Sequence, residues 1–143
     1  MGTLDGKVAF ITGAARGLGR AYAIKLASEG ADIIAVDICQ EFATTDYPGS
    51  TPEDLTRTEQ LVQARGRTIL SRHADVRDRD AVDAVVREAV DHFGRLDIVI
   101  ANAGIIRLTD SDEPDATFRD ILERQLDRCL EHGRSRDSRS GRR

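Results

Sequence analysis

The chain has 143 residues, 40% of them hydrophobic and 32% charged, with a formal net charge of -4. That is the composition of one ordinary globular domain, long enough to bury roughly two-thirds of the surface its unfolded form exposes, so disulfide scaffolds, collagen and wholesale disorder are excluded. No run of about 18 apolar residues is present and Met1 to Gly6 lacks the start of a signal peptide, so the sequence reads as soluble and cytoplasmic, with no membrane partner. Cys39 and Cys129 show no Cys-x-x-Cys spacing and no neighbouring histidine pair, which supports neither a metal site nor a structural disulfide.

Lys7 to Thr12 is a short apolar run ending in a Gly-rich turn, the pattern of a strand buried on both faces of a parallel sheet. A helix is expected from Leu18, with Ala21, Ile24, Leu26 and Ala27 on one face and Gly30 as its stop. Asp32 to Asp37 is a second short β-branched run. The polar stretch Gln40 to Ser50 is longer than most connections in compact domains. Thr51-Pro52-Glu53-Asp54 then reads as a helix start: Thr as N-cap, Pro in the first turn, and two acids beside the positive end of the dipole. That helix is expected to run to about Ala64, with Gly66 ending it. A third strand follows over Arg67 to Ala74. Asp78 to Phe93 is a helix with Ala81, Val85, Val86, Ala89 and Val90 inward, Leu96 to Ala101 a fourth strand, and a further helix starts near Pro114. Strand and helix alternate throughout, which predicts an α/β fold of Rossmann type: a doubly wound parallel sheet, incomplete at about four strands in the order 3-2-1-4. Residues 1–122 would form this half-domain and residues 123–143 a separate basic tail.

Thr12-Gly13-Ala14-Ala15-Arg16-Gly17-Leu18-Gly19 lies between the first strand and the first helix, where a dinucleotide pyrophosphate meets backbone N–H groups and a helix dipole. Gly13 allows a sharp turn, Gly17 lets backbone approach phosphate, and Gly19 lets the helix close on the strand. The spacing is G-x-x-x-G-x-G rather than the general G-x-G-x-x-G. Asp37 ends the second strand 24 residues after Gly13, about where the fingerprint places the acid that binds ribose hydroxyls. A carboxylate there repels a 2′-phosphate, so the expected cofactor is NAD rather than NADP, although Arg16 in the turn pulls the other way.

With Thr12 to Gly19, Asp37, Ala74-Asp75-Val76 and Ala101-Asn102-Ala103-Gly104 in order, the sequence resembles the short-chain dehydrogenase/reductase family over about residues 4 to 122. The resemblance implies that Asp75 hydrogen-bonds the adenine amino group and that the Val76 backbone lies against the ring. It also implies that Asn102, Ala103 and Gly104 stabilise the sheet and line the ribose and nicotinamide side. Ala101 departs from the family, which commonly has a second Asn there. Asp37-Ile38-Cys39, the long insert and Tyr47 to Leu55 are similar to the mycofactocin-coupled, carveol dehydrogenase-like members. That similarity implies an NAD(H) held tightly and recycled by another redox carrier. Ile38 is a further expected cofactor-binding residue, and because the insert follows the adenosine-binding strand it is placed to fold over the cofactor and slow its release, the alternative being a solvated loop. Full-length family members are often homo-oligomers acting on an alcohol or ketone.

The family's catalytic tyrosine, with a lysine four residues later, has no counterpart. The only tyrosines are Tyr22 and Tyr47 and the only lysines Lys7 and Lys25, and Tyr22 and Lys25 have the wrong spacing on the first helix. No catalytic residue is assigned, and His73, His92 and His132 belong to no nucleophile pattern.

Residues 1–123 hold 14 basic and 22 acidic side chains, residues 124–143 seven and three. The arginine-rich end from Glu131 has nothing to pack with and reads as disordered. Where the family continues with Val-Asn-Leu-x-Gly, this chain runs Glu123-Arg124-Gln125-Leu126. Codons for Glu123 to Ser138 exist in which dropping one base yields Ser-Val-Asn-Leu-Thr-Gly, so a shifted reading frame near residue 123 is expected. A gene in which no single-base change restores that continuation contradicts it. A nucleic-acid role rests on this tail alone, on an acidic body without a base-reading motif, and is not expected. A fourth strand left at an edge is an association hazard, so a marginally stable chain is expected. Three readings stay open: the NAD(H)-binding portion of an alcohol/ketone oxidoreductase lacking its catalytic part, a non-catalytic NAD-binding module, and an interaction protein using a basic tail.

Overall fold

Alternate residues of two short apolar runs face opposite ways, and this sets the layers of the molecule. A computed structural model describes residues 2–43, 45 and 47–104. The expected helix near Pro114 and the basic tail lie outside the described residues. Strand β1 (Val8–Thr12) pairs in parallel with β2 (Asp32–Asp37), Ala9 opposite Ile33 and Ile11 opposite Ala35. Strand β3 (Ile69–His73) joins the far side of β2 and β4 (Ile98–Ile100) the other side of β1, giving the parallel order β3-β2-β1-β4.

Helices α1 (Gly17–Ser28), α2 (Pro52–Gln63) and α3 (Arg79–Phe93) cover the sheet. On one face Ala9, Ile11, Ile33 and Ala35 pack with Ala23 and Ala27 of α1 and Leu55 and Val62 of α2. On the other, Val8, Phe10, Ile34 and Val36 pack with Val82, Val85, Val86 and Ala89 of α3. Both faces of β1 and β2 are thus dry, and each fully buried Phe10, Ile11, Ile33 or Ile34 contributes about 1.5–3 kcal/mol of transfer free energy.

The helix faces differ from the sequence reading by one or two positions. In α1 the buried stripe is Gly19, Ala23 and Ala27; Ala21 is exposed, and Ile24 and Leu26 are half-buried. The stripe begins one turn earlier because Gly19 itself is the close-contact position. In α3 Val82 rather than Ala81 is buried, and Val90 is half-buried. Strand β3 is shorter than expected, starting at Ile69, although Thr68 O already accepts from Ile33 N at 2.9 Å; Asp32 Oδ1 anchors this approach, with Arg67 Nη2 at 2.9 Å and Thr68 N at 3.0 Å. Strand β4 is also shorter than expected, although Asp97 N donates to Val8 O at 3.0 Å just before it begins. Val8 N donates to Asp97 Oδ2 at 2.9 Å and Arg95 Nη2 reaches Asp97 Oδ1 at 2.7 Å.

The helix ends follow local chemistry. Thr51 Oγ1 accepts from Asp54 N at 3.1 Å while Asp54 Oδ2 accepts from Thr51 N at 3.0 Å, a capping box worth about 1 kcal/mol. Helix α1 closes with Gly30 N on Ala27 O and Ala31 N on Leu26 O, the paired bonds of a Schellman motif. Among the described residues no helix is long and apolar enough to cross a membrane.

Candidate functional site

The carboxyl ends of β1, β2 and β4 open into one cleft, because the chain leaves β1 and β4 in opposite directions around the sheet. The cleft encloses about 480 Å³ and is lined from three sides. The Gly-rich turn supplies Gly13, Arg16, Gly17 and Leu18, the end of β2 supplies Asp37 and Ile38, and the segments after β3 and β4 supply Asp75, Val76, Asn102, Ala103 and Gly104. The expected site residues therefore converge, except that Thr12 and Gly19 stand behind the lining. Thr12 Oγ1 accepts from Ala103 N at 3.0 Å. A Cβ on Gly19 would lie 1.9 Å from Gly13 O, so only glycine lets α1 seat on the turn.

Asn102 ties β4 to the turn: its Nδ2 donates toward Thr12 O and Gly13 O, at 3.2 and 3.3 Å. The neighbouring Ala101 leaves this arrangement intact. A Cβ on Gly13 would meet Ala103 Cα at 2.9 Å, so the turn and the β4 segment touch backbone to backbone.

Asp37 is 7% exposed and is held by backbone and side-chain donors. Ala15 N donates to its Oδ2 at 3.0 Å, Cys39 N to its Oδ1 at 3.0 Å, and the Ser50 hydroxyl to Oδ1 at 2.5 Å. The same Asp37 side chain lines the cleft. Cys39 beside it has a left-handed φ of 51°. Burial first, and the Asp37 carboxylate second, push its thiol up to about 12, which keeps it protonated and unreactive. Asp75 Oδ2 is paired with Arg77 Nη2 at 2.7 Å, and Arg77 N donates to Asp75 Oδ1 at 3.0 Å.

The sequence reading assigned no site role to Val36, to Ala74 of the Ala74-Asp75-Val76 landmark, or to the individual insert residues Phe42, Tyr47, Gly49 and Ser50, all of which line the cleft. Tyr47 and Pro48 are drawn in by Arg16: the guanidinium lies 5.8 Å from the Tyr47 ring centroid and bonds Pro48 O. Gly49 N donates to Glu41 Oε2 at 2.9 Å, folding the insert back on itself. A long polar stretch after an acid-terminated strand was the available signal. Among the described residues no group of three or more His, Cys, Asp or Glu is placed to hold a metal ion.

A parallel sheet with a Gly-rich turn at a helix N-terminus and an acid at the end of the next strand defines the doubly wound, nucleotide-cradling class of α/β proteins. The family model of the short chain dehydrogenases matches residues 7–132, and the chain belongs to that family. The (-)-trans-carveol dehydrogenase of Rhodococcus erythropolis is 47% identical over 128 residues, 88% of this chain and 46% of that enzyme. A short chain dehydrogenase of Mycobacterium paratuberculosis, solved bound to NAD, superposes with a TM-score of 0.89 at 43% identity, covering 94% of this chain and 50% of that one. Carveol dehydrogenase of Mycobacterium avium, solved in complex with NAD, gives a TM-score of 0.82 at 42% identity, covering 92% of this chain and 51% of that one. The chain spans about half the length of the relatives it matches.

Proposed function

We propose that this chain is the NAD(H)-binding portion of an oxidoreductase that interconverts an alcohol and a ketone. The observation that carries this reading is the position of Asp37, at the carboxyl end of β2 and facing the Gly-rich turn across one cleft. In that place the turn and the α1 N-terminus take the pyrophosphate, and Asp37 takes the adenosine ribose hydroxyls. Asp75 and Val76 flank the adenine, and Asn102, Ala103 and Gly104 flank the nicotinamide ribose. The dinucleotide supplies hydride transfer; these residues bind and orient it. With no Tyr-x-x-x-Lys in the sequence, binding without turnover is the expected behaviour of the 143-residue chain.

The insert deepens the reading. Tyr47, Pro48 and Ser50 close over the adenosine end, held by Arg16 and Asp37, which favours slow cofactor exchange and recycling of the bound cofactor by a separate redox carrier, as in the mycofactocin-coupled members the sequence resembles. Fluorescence titration with NADH and NADPH tests the reading. Saturable NADH binding, with NADPH at least about tenfold weaker because its 2′-phosphate meets a carboxylate, is the expected result. Equal binding of the two, or no saturable binding by a folded chain, overturns it.

A further inference from the structure

The Gly-rich turn is also gripped by two residues, Thr58 and Arg20, that do not line the cleft. Thr58 is fully buried in the middle of α2, and its hydroxyl lies 2.8 Å from Ala14 O and 3.1 Å from Ala15 O. Arg20, one turn into α1, donates from Nε to Thr58 Oγ1 at 3.1 Å. Its Nη2 donates to Ala15 O at 2.6 Å and to Asp54 O at 2.8 Å. The donors run in one direction, from guanidinium to hydroxyl to carbonyl, and end on the two peptides at the centre of the turn.

A trans peptide points its C=O and N–H in opposite directions, and the described residues contain no cis bond. The Ala14–Ala15 peptide is therefore held at both ends: Thr58 holds its carbonyl, and the N–H of Ala15 meets Asp37 Oδ2 at 3.0 Å. The next peptide has its carbonyl held by Arg20, which turns the N–H of Arg16 away from α2. We propose that Thr58 and Arg20 are positioning residues for dinucleotide binding: by holding the carbonyls of Ala14 and Ala15, they set the direction of the turn's N–H groups and the orientation of the Asp37 carboxylate. The inference rests on the NAD(H)-binding reading above. It assigns to α2, which contributes no cleft-lining residue, control over both the phosphate-facing and the ribose-facing groups.

The test is NADH titration of the full chain and four variants, with a thermal melt of each. Thr58→Val keeps shape and removes the donor; about a tenfold loss of affinity is expected, the cost of releasing a buried bond to the turn. Thr58→Ser restores the hydroxyl and is expected within about threefold of wild type. Arg20→Met, at a partly exposed position that tolerates change, weakens binding several-fold and serves if the Thr58→Val chain does not fold. Val62→Ala lowers the melting temperature by opening a cavity under α2 but leaves NADH affinity unchanged, because an aliphatic side chain makes no hydrogen bond to the turn. Wild-type affinity in both Thr58→Val and Arg20→Met overturns the proposal, as does a Val62→Ala loss equal to that of Thr58→Val. Absence of NADH binding in the folded wild-type chain overturns the cofactor reading itself, and this inference with it.

Discussion

Gly19→Ala is the sharpest perturbation of the site, because it adds one carbon where backbone stands on the other side. The new Cβ would lie 1.9 Å from Gly13 O and 2.9 Å from Asn102 Nδ2. A carbonyl oxygen within a packed turn has no rotamer to yield with, so α1 and the turn must separate by about 1 Å, and overpacking of this kind costs about 1–3 kcal/mol, occasionally more. Against it stands the gain in helix propensity of Ala over Gly, about 1 kcal/mol. Because the contact is far inside van der Waals distance, the upper end of the overpacking range applies and the net loss is about 2 kcal/mol. For a folded region of about 100 residues that lowers the melting temperature by about 10 °C. Displacing the turn also misaims its N–H groups, so NADH affinity falls by more than about tenfold. Gly17→Ala makes the comparison informative: a Cβ there meets nothing within 4 Å, but φ is +60°, so its cost is the left-handed conformation alone, about 1 kcal/mol. Thermal melts and NADH titrations of both variants check the ordering. A Gly19→Ala chain that melts within about 2 °C of wild type and binds NADH within about twofold would refute the close-packing argument.

Two further outcomes follow from ionisable groups. Hydrogen bonding from Arg95, helped by Val8 N–H and by the charges of Arg95 and Lys7, holds the Asp97 carboxyl below the usual carboxylate range. A depressed folded value means stability present above the unfolded pKa of about 3.9 and lost as pH falls through the folded value. Urea melts at neutral pH and near pH 3 should therefore show the advantage of wild type over Asp97→Asn shrinking in acid, and an unchanged gap would contradict the assignment. The thiol of Cys39, pushed up to about 12, should be alkylated at least about tenfold more slowly than free cysteine near pH 8 in a Cys129→Ser background. A rate matching free cysteine would remove burial and Asp37 as its environment.

The parts of this molecule that could be read from the sequence are those whose cause is local. Thr51-Pro52-Glu53-Asp54 announces a helix start because the capping box is contained within four residues, and the strand order follows from alternating apolar runs joined by helices. Gly13 and Asp37 were singled out because a known ligand geometry fixes their separation. Helix faces were misplaced by one or two residues, at Ala21 against Ala23 and at Ala81 against Val82, since alanine sits on either face of a helix and the glycine that fixes the α1 stripe, Gly19, carries no hydropathy signal. Arg20 and Thr58 carried no signal at all. Their partners are main-chain carbonyls, which every residue possesses, and Thr58 reaches them across 43 and 44 positions of sequence. For Tyr47 and Ser50 the sequence pointed only to the insert as a whole, because a polar loop looks the same whether it faces water or bends over a cleft.

Asp37 joins three stretches of chain before any ligand arrives: the Gly-rich turn through Ala15, its own strand end through Cys39, and the insert through Ser50. On the proposed reading, ligand preference and architecture share this one side chain. Exchanging this acid for a small or basic residue, the usual route to a phosphorylated cofactor, would at the same stroke strand the Ala15 N–H and unfasten the insert. If Asp37 sets cofactor preference as proposed, that preference cannot drift one substitution at a time; a changed residue at this position must arrive together with new acceptors for the groups it abandons.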